Sequence, residues 1–134
     1  MYGFFVAARV SHTTFNCENA FELSEWWKQV LHYVDVEGDA NERGDEECMI
    51  VDPTGGHRLL FVEVDALQEP VGRIHLDLAP SDRSRDEEVE RVLALGARQV
   101  ADLRNADGTG WVVLADPSGN RFCIVRSDEE RRTT

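Results

Sequence analysis

A short pattern occurs twice in this chain, and that repeat constrains its fold more than any other feature. Asp52-Pro53-Thr54-Gly55 returns as Asp116-Pro117-Ser118-Gly119, and Leu31-His32 returns at the same offset as Leu95-Gly96. Each half reads as one strand, one helix and then more strands. Two equivalent modules related by a pseudo-two-fold axis are expected, with residues at matching positions converging on shared ground. His12 and His75 open the first strands of the two halves. A half of a 134-residue chain buries too little apolar surface to fold alone, so the whole is read as a single domain. Its first module covers about 10–64 and its second about 73–126, with a linker from Asp65 to Gly72.

Local periodicity supports the division. From Val10 to Cys17, His12, Thr14 and Asn16 point one way while Thr13, Phe15 and Cys17 point the other, the period of a half-buried strand. Asn19 stands as a cap before a helix over Ala20 to Leu31, whose apolar stripe is Phe21, Leu23, Trp27, Val30 and Leu31. Trp26 lies off that stripe, facing a partner or a loop. Strands follow at Tyr33 to Val36, Cys48 to Val51 and Leu59 to Val64, with the acidic stretch Glu37 to Glu47 as a solvated connection. In the second half Arg73, His75 and Asp77 share one strand face, and Ile74, Leu76 and Leu78 the other. Ser81 or Asp82 caps a helix over Arg85 to Leu95, and Gly96 ends it in a left-handed conformation. Strands at Gln99 to Leu103, Trp111 to Ala115 and Arg121 to Val125 complete the unit, and Arg126 to Thr134 is a charged tail expected to fray.

Both halves are thus βαβββ units. Their first strands keep a polar face although a helix covers the other. The expected fold class is α+β: two βαβββ modules forming a curved eight-stranded half-barrel sheet, helices on the convex face and a ligand cavity on the concave one.

Charge narrows the partners. A formal net charge of -12 is at odds with nucleic acid or an anionic membrane, which need clustered Lys and Arg. It favours metal ions and cationic or neutral ligands, and it keeps the chain soluble. Three cysteines, Cys17, Cys48 and Cys123, are odd in number and lack metal-type spacing, which indicates free thiols in a reducing cytoplasm. Met1 to Arg9 is apolar but has no basic leader and is too short for a signal core or a membrane span, so it is read as an edge segment or packing arm.

With Arg73-Ile74-His75-Leu76-Asp77-Leu78, Leu95-Gly96-Ala97 and Ala115-Asp116-Pro117-Ser118-Gly119-Asn120-Arg121-Phe122-Cys123 in this order, the chain resembles the vicinal-oxygen-chelate superfamily, which includes glyoxalase I, extradiol dioxygenases and bleomycin-resistance proteins. It looks most like the glyoxalase-like branch, over roughly Val10 to Arg126. The resemblance implies a divalent ion held by one side chain from each of four strands. His12 matches the first position and His75 the third. The second falls on Val62 in the usual register, or on Glu63 if the strand slips or bulges by one residue; the fourth falls on Cys123. His32 stands where the family usually has glycine after the first helix.

The candidate site residues follow. His12 and His75 are the metal ligands, and the cofactor is one divalent transition metal: two imidazoles with a thiolate or carboxylate suit zinc, iron or nickel, with manganese also in range, better than magnesium or calcium. Glu63, as general base, and Asp77, two residues from His75 on the same face, are the catalytic candidates. Phe61, Trp111 and Cys123 are the ligand-binding candidates. Asp52 and Asp116 are turn residues, bonding backbone amides while Gly55 and Gly119 supply a positive φ.

Two functions lead, and a third stands behind them. One is a metal-dependent lyase, isomerase or oxygenase (dioxygenase type included) acting on a substrate with adjacent oxygens. The other is a non-catalytic protein that sequesters a small molecule, as antibiotic-resistance members of the superfamily do; a metal-free enzyme using His75 and Asp77 as an acid–base pair is a third. A homodimer is expected, because Tyr2, Phe4, Phe5, Val6 and Trp26 leave apolar surface to cover.

Overall fold

The computed structural model describes residues 10–65 and 75–132. The apolar arm, most of the linker, and Arg73 and Ile74 lie outside the described residues, and with them the arm's part in a dimer. The chain divides into two compact units, Met1–Leu67 and Gln68–Thr134. The first contains β1 (Thr13–Cys17), α1 (Ala20–Leu31), β2 (Val34–Asp35), β3 (Glu47–Val51) and β4 (Arg58–Glu63). The second contains β5 (Leu76–Leu78), α2 (Arg85–Ala94), β6 (Arg98–Arg104), β7 (Gly110–Ala115), β8 (Arg121–Ile124) and α3 (Asp128–Arg132).

The strand orders, β1-β4-β3-β2 and β5-β8-β7-β6, are one circuit run twice. In each, the first strand pairs in parallel with the last, and the remaining pairs are antiparallel. Two βαβββ modules with eight strands are therefore present in an α+β fold. The strands hydrogen-bond as two four-stranded mixed sheets rather than one ladder of eight, because each first strand is satisfied by the last strand of its own unit.

In the first unit, Asn19 accepts from the Glu22 amide at 3.0 Å and starts α1 as its cap. Trp27, Phe61, Ile50 and Leu59 are fully buried, and Phe15 meets both Trp27 and Phe61 edge-on at 5.6 and 5.4 Å. Trp26 departs from its expected place facing a partner or loop. It is buried, edge-on to Trp27 at 5.1 Å. Leu23, Trp26, Trp27 and Val30 fall at i, i+3, i+4 and i+7, so the helix buries a stripe wide enough for both indoles. Trp26 therefore leaves no surface for a dimer to cover.

His32, where a glycine was expected, takes the left-handed conformation itself, with φ 59° and ψ 33°, and its amide donates to Lys28 O at 2.8 Å. The matching end of α2 uses Gly96 (φ 111°), with Gly96 and Ala97 amides returning to Leu93 and Val92 carbonyls in a Schellman arrangement.

Two expectations for the second unit are corrected. The cap of α2 is Ser84, not Ser81 or Asp82: its hydroxyl accepts from the Glu87 amide while the Glu87 carboxylate accepts from the Ser84 amide, a reciprocal box that satisfies two orphan donors. The tail is also ordered through α3. Glu130 accepts from the Arg85 amide at 2.7 Å and the Ser127 amide at 2.9 Å, tying α3 to the start of α2. Arg85 is itself buried, and its guanidinium Nη1 donates to the carbonyls of Gly108, Thr109 and Gly110 at 3.0 Å each. It pins the β6–β7 hairpin to the helix.

The repeated Asp-Pro pairs serve as turns. Asp52 accepts from the amide and hydroxyl of Thr54, which hold its carboxyl below the usual range, and Asp116 accepts from the amides of Ser118 and Asn120. The positive φ in the first turn is at Gly56 rather than Gly55, and in the second at Gly119.

Replacing Trp27 with Ala is expected to cost about 3–5 kcal/mol in denaturant unfolding, the range for a buried large aromatic. His32→Gly is expected to stabilise by about 1 kcal/mol, by relieving a left-handed non-glycine residue. A neutral or destabilising His32→Gly would show that the imidazole contributes more than its backbone strain costs.

Candidate functional site

The parallel pairing of β5 with β8 sets Asp77 directly opposite Cys123. Side chains alternate across a sheet, so Leu76, Leu78, Phe122 and Ile124 point one way, and Asp77 and Cys123 the other. Phe122 and Ile124 are buried on the same side as Val112 and Leu114, their partners on β7. Arg104, on the corresponding side of β6, reaches Asp86 of α2 at 3.1 Å, which identifies that side as the helix side. Asp77, Cys123, Val113 and Ala101 are consecutive partners across the other side. His75 immediately precedes β5 and shares their face.

Three different donors meet there. His75 Nδ1 lies 3.2 Å from Asp77 Oδ1, and one ligand atom from each of His75, Asp77 and Cys123 lies within 4.8 Å of the others. His75 and Asp77 are exposed, whereas Cys123 is 4% exposed. Burial pushes the Cys123 thiol up to about 11, and the negative charge of Asp77 and a hydrogen bond to its carboxylate add to the effect. Asp77 is therefore central, taking the thiol on one side and the imidazole on the other. This order differs from that of a nucleophilic thiol, in which the imidazole touches the sulfur and lowers its pKa.

Trp111 belongs to the same face, one alternation along β7 from Val113, with Leu103 as its partner on β6. Both are large apolar side chains left exposed, Trp111 by 44% and Leu103 by 46%. Their hairpin has no freedom at Gly110: φ is 93°, and a Cβ there would meet Leu103 O at 2.1 Å. With Arg85 holding the same segment, the position of Trp111 is fixed by backbone.

The other candidates lie in the first unit. His12 immediately precedes β1 and its Nδ1 is 3.0 Å from Ser11 Oγ. The β1–β4 register is unbroken through Asn16↔Val62 and Cys17↔Glu63, so the strand neither slips nor bulges. Val62 therefore shares the face of Thr14 and Asn16, and Glu63 lies on the opposite face with Phe61. Phe61 is fully buried against Phe15. The structure also forms a group that the sequence reading missed, in which Tyr33 Oη is 2.8 Å from His57 Nδ1 and His57 Nε2 is 3.4 Å from Thr13 Oγ1. Burial, reinforced by Asp52, pushes the Tyr33 phenol up. No spacing rule links residues so far apart in sequence.

Residues 12–125 match the family model of the glyoxalase-like domain. No curated protein matches the chain significantly. Among solved structures, it is similar to the genomically encoded fosfomycin resistance protein FosX from Listeria monocytogenes, in complex with Mn(II) and 1S,2S-dihydroxypropylphosphonic acid: 19% identity, 97% of this chain and 98% of that one covered, TM-score 0.68. FosX from Mesorhizobium loti is 17% identical over 97% and 100% of the two chains, with TM-score 0.64. A glyoxalase/bleomycin resistance/dioxygenase family enzyme from Burkholderia phytofirmans PsJN is 19% identical over 87% and 97%, with TM-score 0.64. These likenesses establish the shared vicinal-oxygen-chelate fold. Among the described residues, no helix is long and apolar enough to cross a membrane.

The raised thiol has a measurable consequence. A pKa raised in the folded chain stabilises it fully below the ordinary thiol value of 9.0, and that contribution is lost as pH rises through about 11. Alkylation of Cys123 by iodoacetamide, followed peptide by peptide in the mass spectrometer, is expected to show a midpoint near 11 and to be slow at pH 8. Asp77→Asn should move the midpoint down toward 9.0, because it removes the opposing charge. An unmoved midpoint would break the Asp77–Cys123 link.

Proposed function

This chain belongs to the glyoxalase-like domain family, and we propose that it binds a divalent transition metal at His75, Asp77 and Cys123 and uses it on a small molecule with two adjacent oxygen atoms. The observation that carries the reading is the convergence of a nitrogen, an oxygen and a sulfur donor within 4.8 Å on one sheet face.

The donor set fits such an ion. Metal–ligand bonds of about 2.0–2.3 Å place the ligands of a tetrahedral site roughly 3.3–3.8 Å apart, so side-chain rotation of about an ångström closes the set. A thiol in place of a carboxylate favours zinc, or iron and nickel, over manganese. The Mn(II) in the Listeria protein is thus a guide to the fold's capacity rather than to this chain's preference. The family resemblance adds His12 to the ligands, a role that rests on the resemblance alone.

A bound ion supplies Lewis acidity to the paired oxygens and stabilises negative charge that develops there. The chain's own residues do the rest. His75 would offer Nδ1, which lies 3.2 Å from Asp77 Oδ1, so that with its proton on Nε2 the ring would turn a lone pair to the same ion as the carboxylate. The Cys123 thiol donates to Asp77 and is raised by burial and by that charge, so Cys123 would have to give up its proton to serve as a thiolate ligand. Trp111 and Leu103 offer an apolar surface beside the polar corner for the body of the substrate. Glu63 takes no part in this reading, since it lies on the helix side of β4 with Phe61.

One observation favours the sequestering alternative. By the family resemblance Val62 stands where a metal carboxylate is expected, and the Cys123 thiol is raised by burial, both of which weigh against a tight metal site assembled in advance. In that case the same face holds its ligand through Trp111 and Leu103 without chemistry.

Metal titration separates the two readings. Protein purified without chelator or nickel resin is expected to take up one equivalent of zinc with proton release, and its cobalt form should show a thiolate-to-cobalt charge-transfer band. Cys123→Ser should abolish the band, and His75→Ala should weaken zinc binding by about 10–100-fold. Uptake below about a tenth of an equivalent of zinc, iron, nickel or cobalt would overturn the metal reading and leave the binding one.

A further inference from the structure

The acidic composition argues for cationic or neutral ligands, yet on the sheet face of Cys123 two cations have no carboxylate partner among the described residues. Arg121, at the start of β8, and Arg98, at the start of β6, are both partners of Ala115 of β7. They therefore share the face of Cys123, Val113 and Trp111, one alternation from Cys123 on the side away from Trp111.

Neither arginine has a carboxylate partner among the described residues. Elsewhere in the second unit Arg83, Arg85, Arg91 and Arg104 are each ion-paired. In a chain with 26 Asp and Glu against 14 Lys and Arg, carboxylates are plentiful, so two unpaired arginines flanking one residue on one face stand out. Arg98 is on the edge strand, where a charge also discourages sheet-to-sheet pairing. Arg121 is on an interior strand, where that explanation does not apply.

We propose that Arg121, supported by Arg98, forms an anion subsite, and that the ligand is an organic anion with a flat apolar body. With strands about 4.8 Å apart, the two Cα atoms lie roughly 10 Å from each other, which lets both guanidinium forks close on one carboxylate or phosphonate set over Ala115. Two steps along β7, about 13 Å away, Trp111 and Leu103 receive the apolar end. The corner of His75, Asp77 and Cys123 then flanks the middle of the ligand, where the reacting atoms would sit. The proposal rests on reading this face as the ligand face, and does not depend on a bound metal.

Isothermal titration of the full chain with cinnamate, phenylphosphonate and the neutral cinnamamide tests it. At least one anion is expected to bind about tenfold or more tighter than the amide, the stronger of the two identifying the head group. Arg121→Gln should abolish that preference and Arg98→Gln reduce it, while the exposed position of both keeps the variants folded. Trp111→Ala should weaken anion and amide alike. Equal affinity for anions and amide, no anion binding, or a preference that survives Arg121→Gln would overturn the subsite. Zinc uptake, measured on the same variants, is expected to be unchanged, so failure of the metal reading and failure of the anion subsite register in separate measurements.

Discussion

In each unit the first strand pairs in parallel with the last, and a hairpin cannot make such a pair. The chain must travel away and return, and it does so through one helix and two further strands. The helix then has one side of the sheet to cover, and its buried stripe supplies the core. The other side of the sheet carries no helix of its own unit among the described residues. In the second unit this crossover places Asp77 beside Cys123, residues from opposite ends of the unit, and so creates the polar corner.

Around that corner the structure divides labour by side of the sheet. The helix side carries buried apolar groups and the ion pairs that brace them, including Arg104 with Asp86 and the buried Arg85 that grips three carbonyls of the β6–β7 hairpin. That grip and the obligatory Gly110 fix the backbone from which Trp111 projects on the opposite side. Stability and site placement thus share residues. A rigid backbone beneath an exposed indole is what a preorganised binding surface needs.

The chemistry of the corner follows from its burial pattern. Cys123 is shielded and faces a carboxylate, so it stays protonated and is a poor nucleophile. Under the proposed metal reading, an ion would have to displace that proton.

Much of this was legible in the sequence, for physical reasons that differ by element. The repeat, the helix of the first unit, the eight strands and the turn role of Asp52 and Asp116 follow from local periodicity and turn chemistry, which act within a few residues. The faces of β1 were legible because alternation needs only the order of residues. What the sequence reading missed were matters of contact: that Trp26 is buried beside Trp27, that Ser84 rather than Ser81 or Asp82 caps α2, and that the tail expected to fray is held by Glu130 on the Arg85 amide. Strand register decided that Val62, not Glu63, shares the face of Asn16, since a slip of one residue would have exchanged them. Register across non-adjacent strands likewise joined Asp77 to Cys123 and set Arg121 and Arg98 on either side of Ala115. The sequence by itself determined which elements form and which way their side chains alternate; only the tertiary structure decided which of those side chains meet, because pairing between distant strands depends on how the whole unit closes.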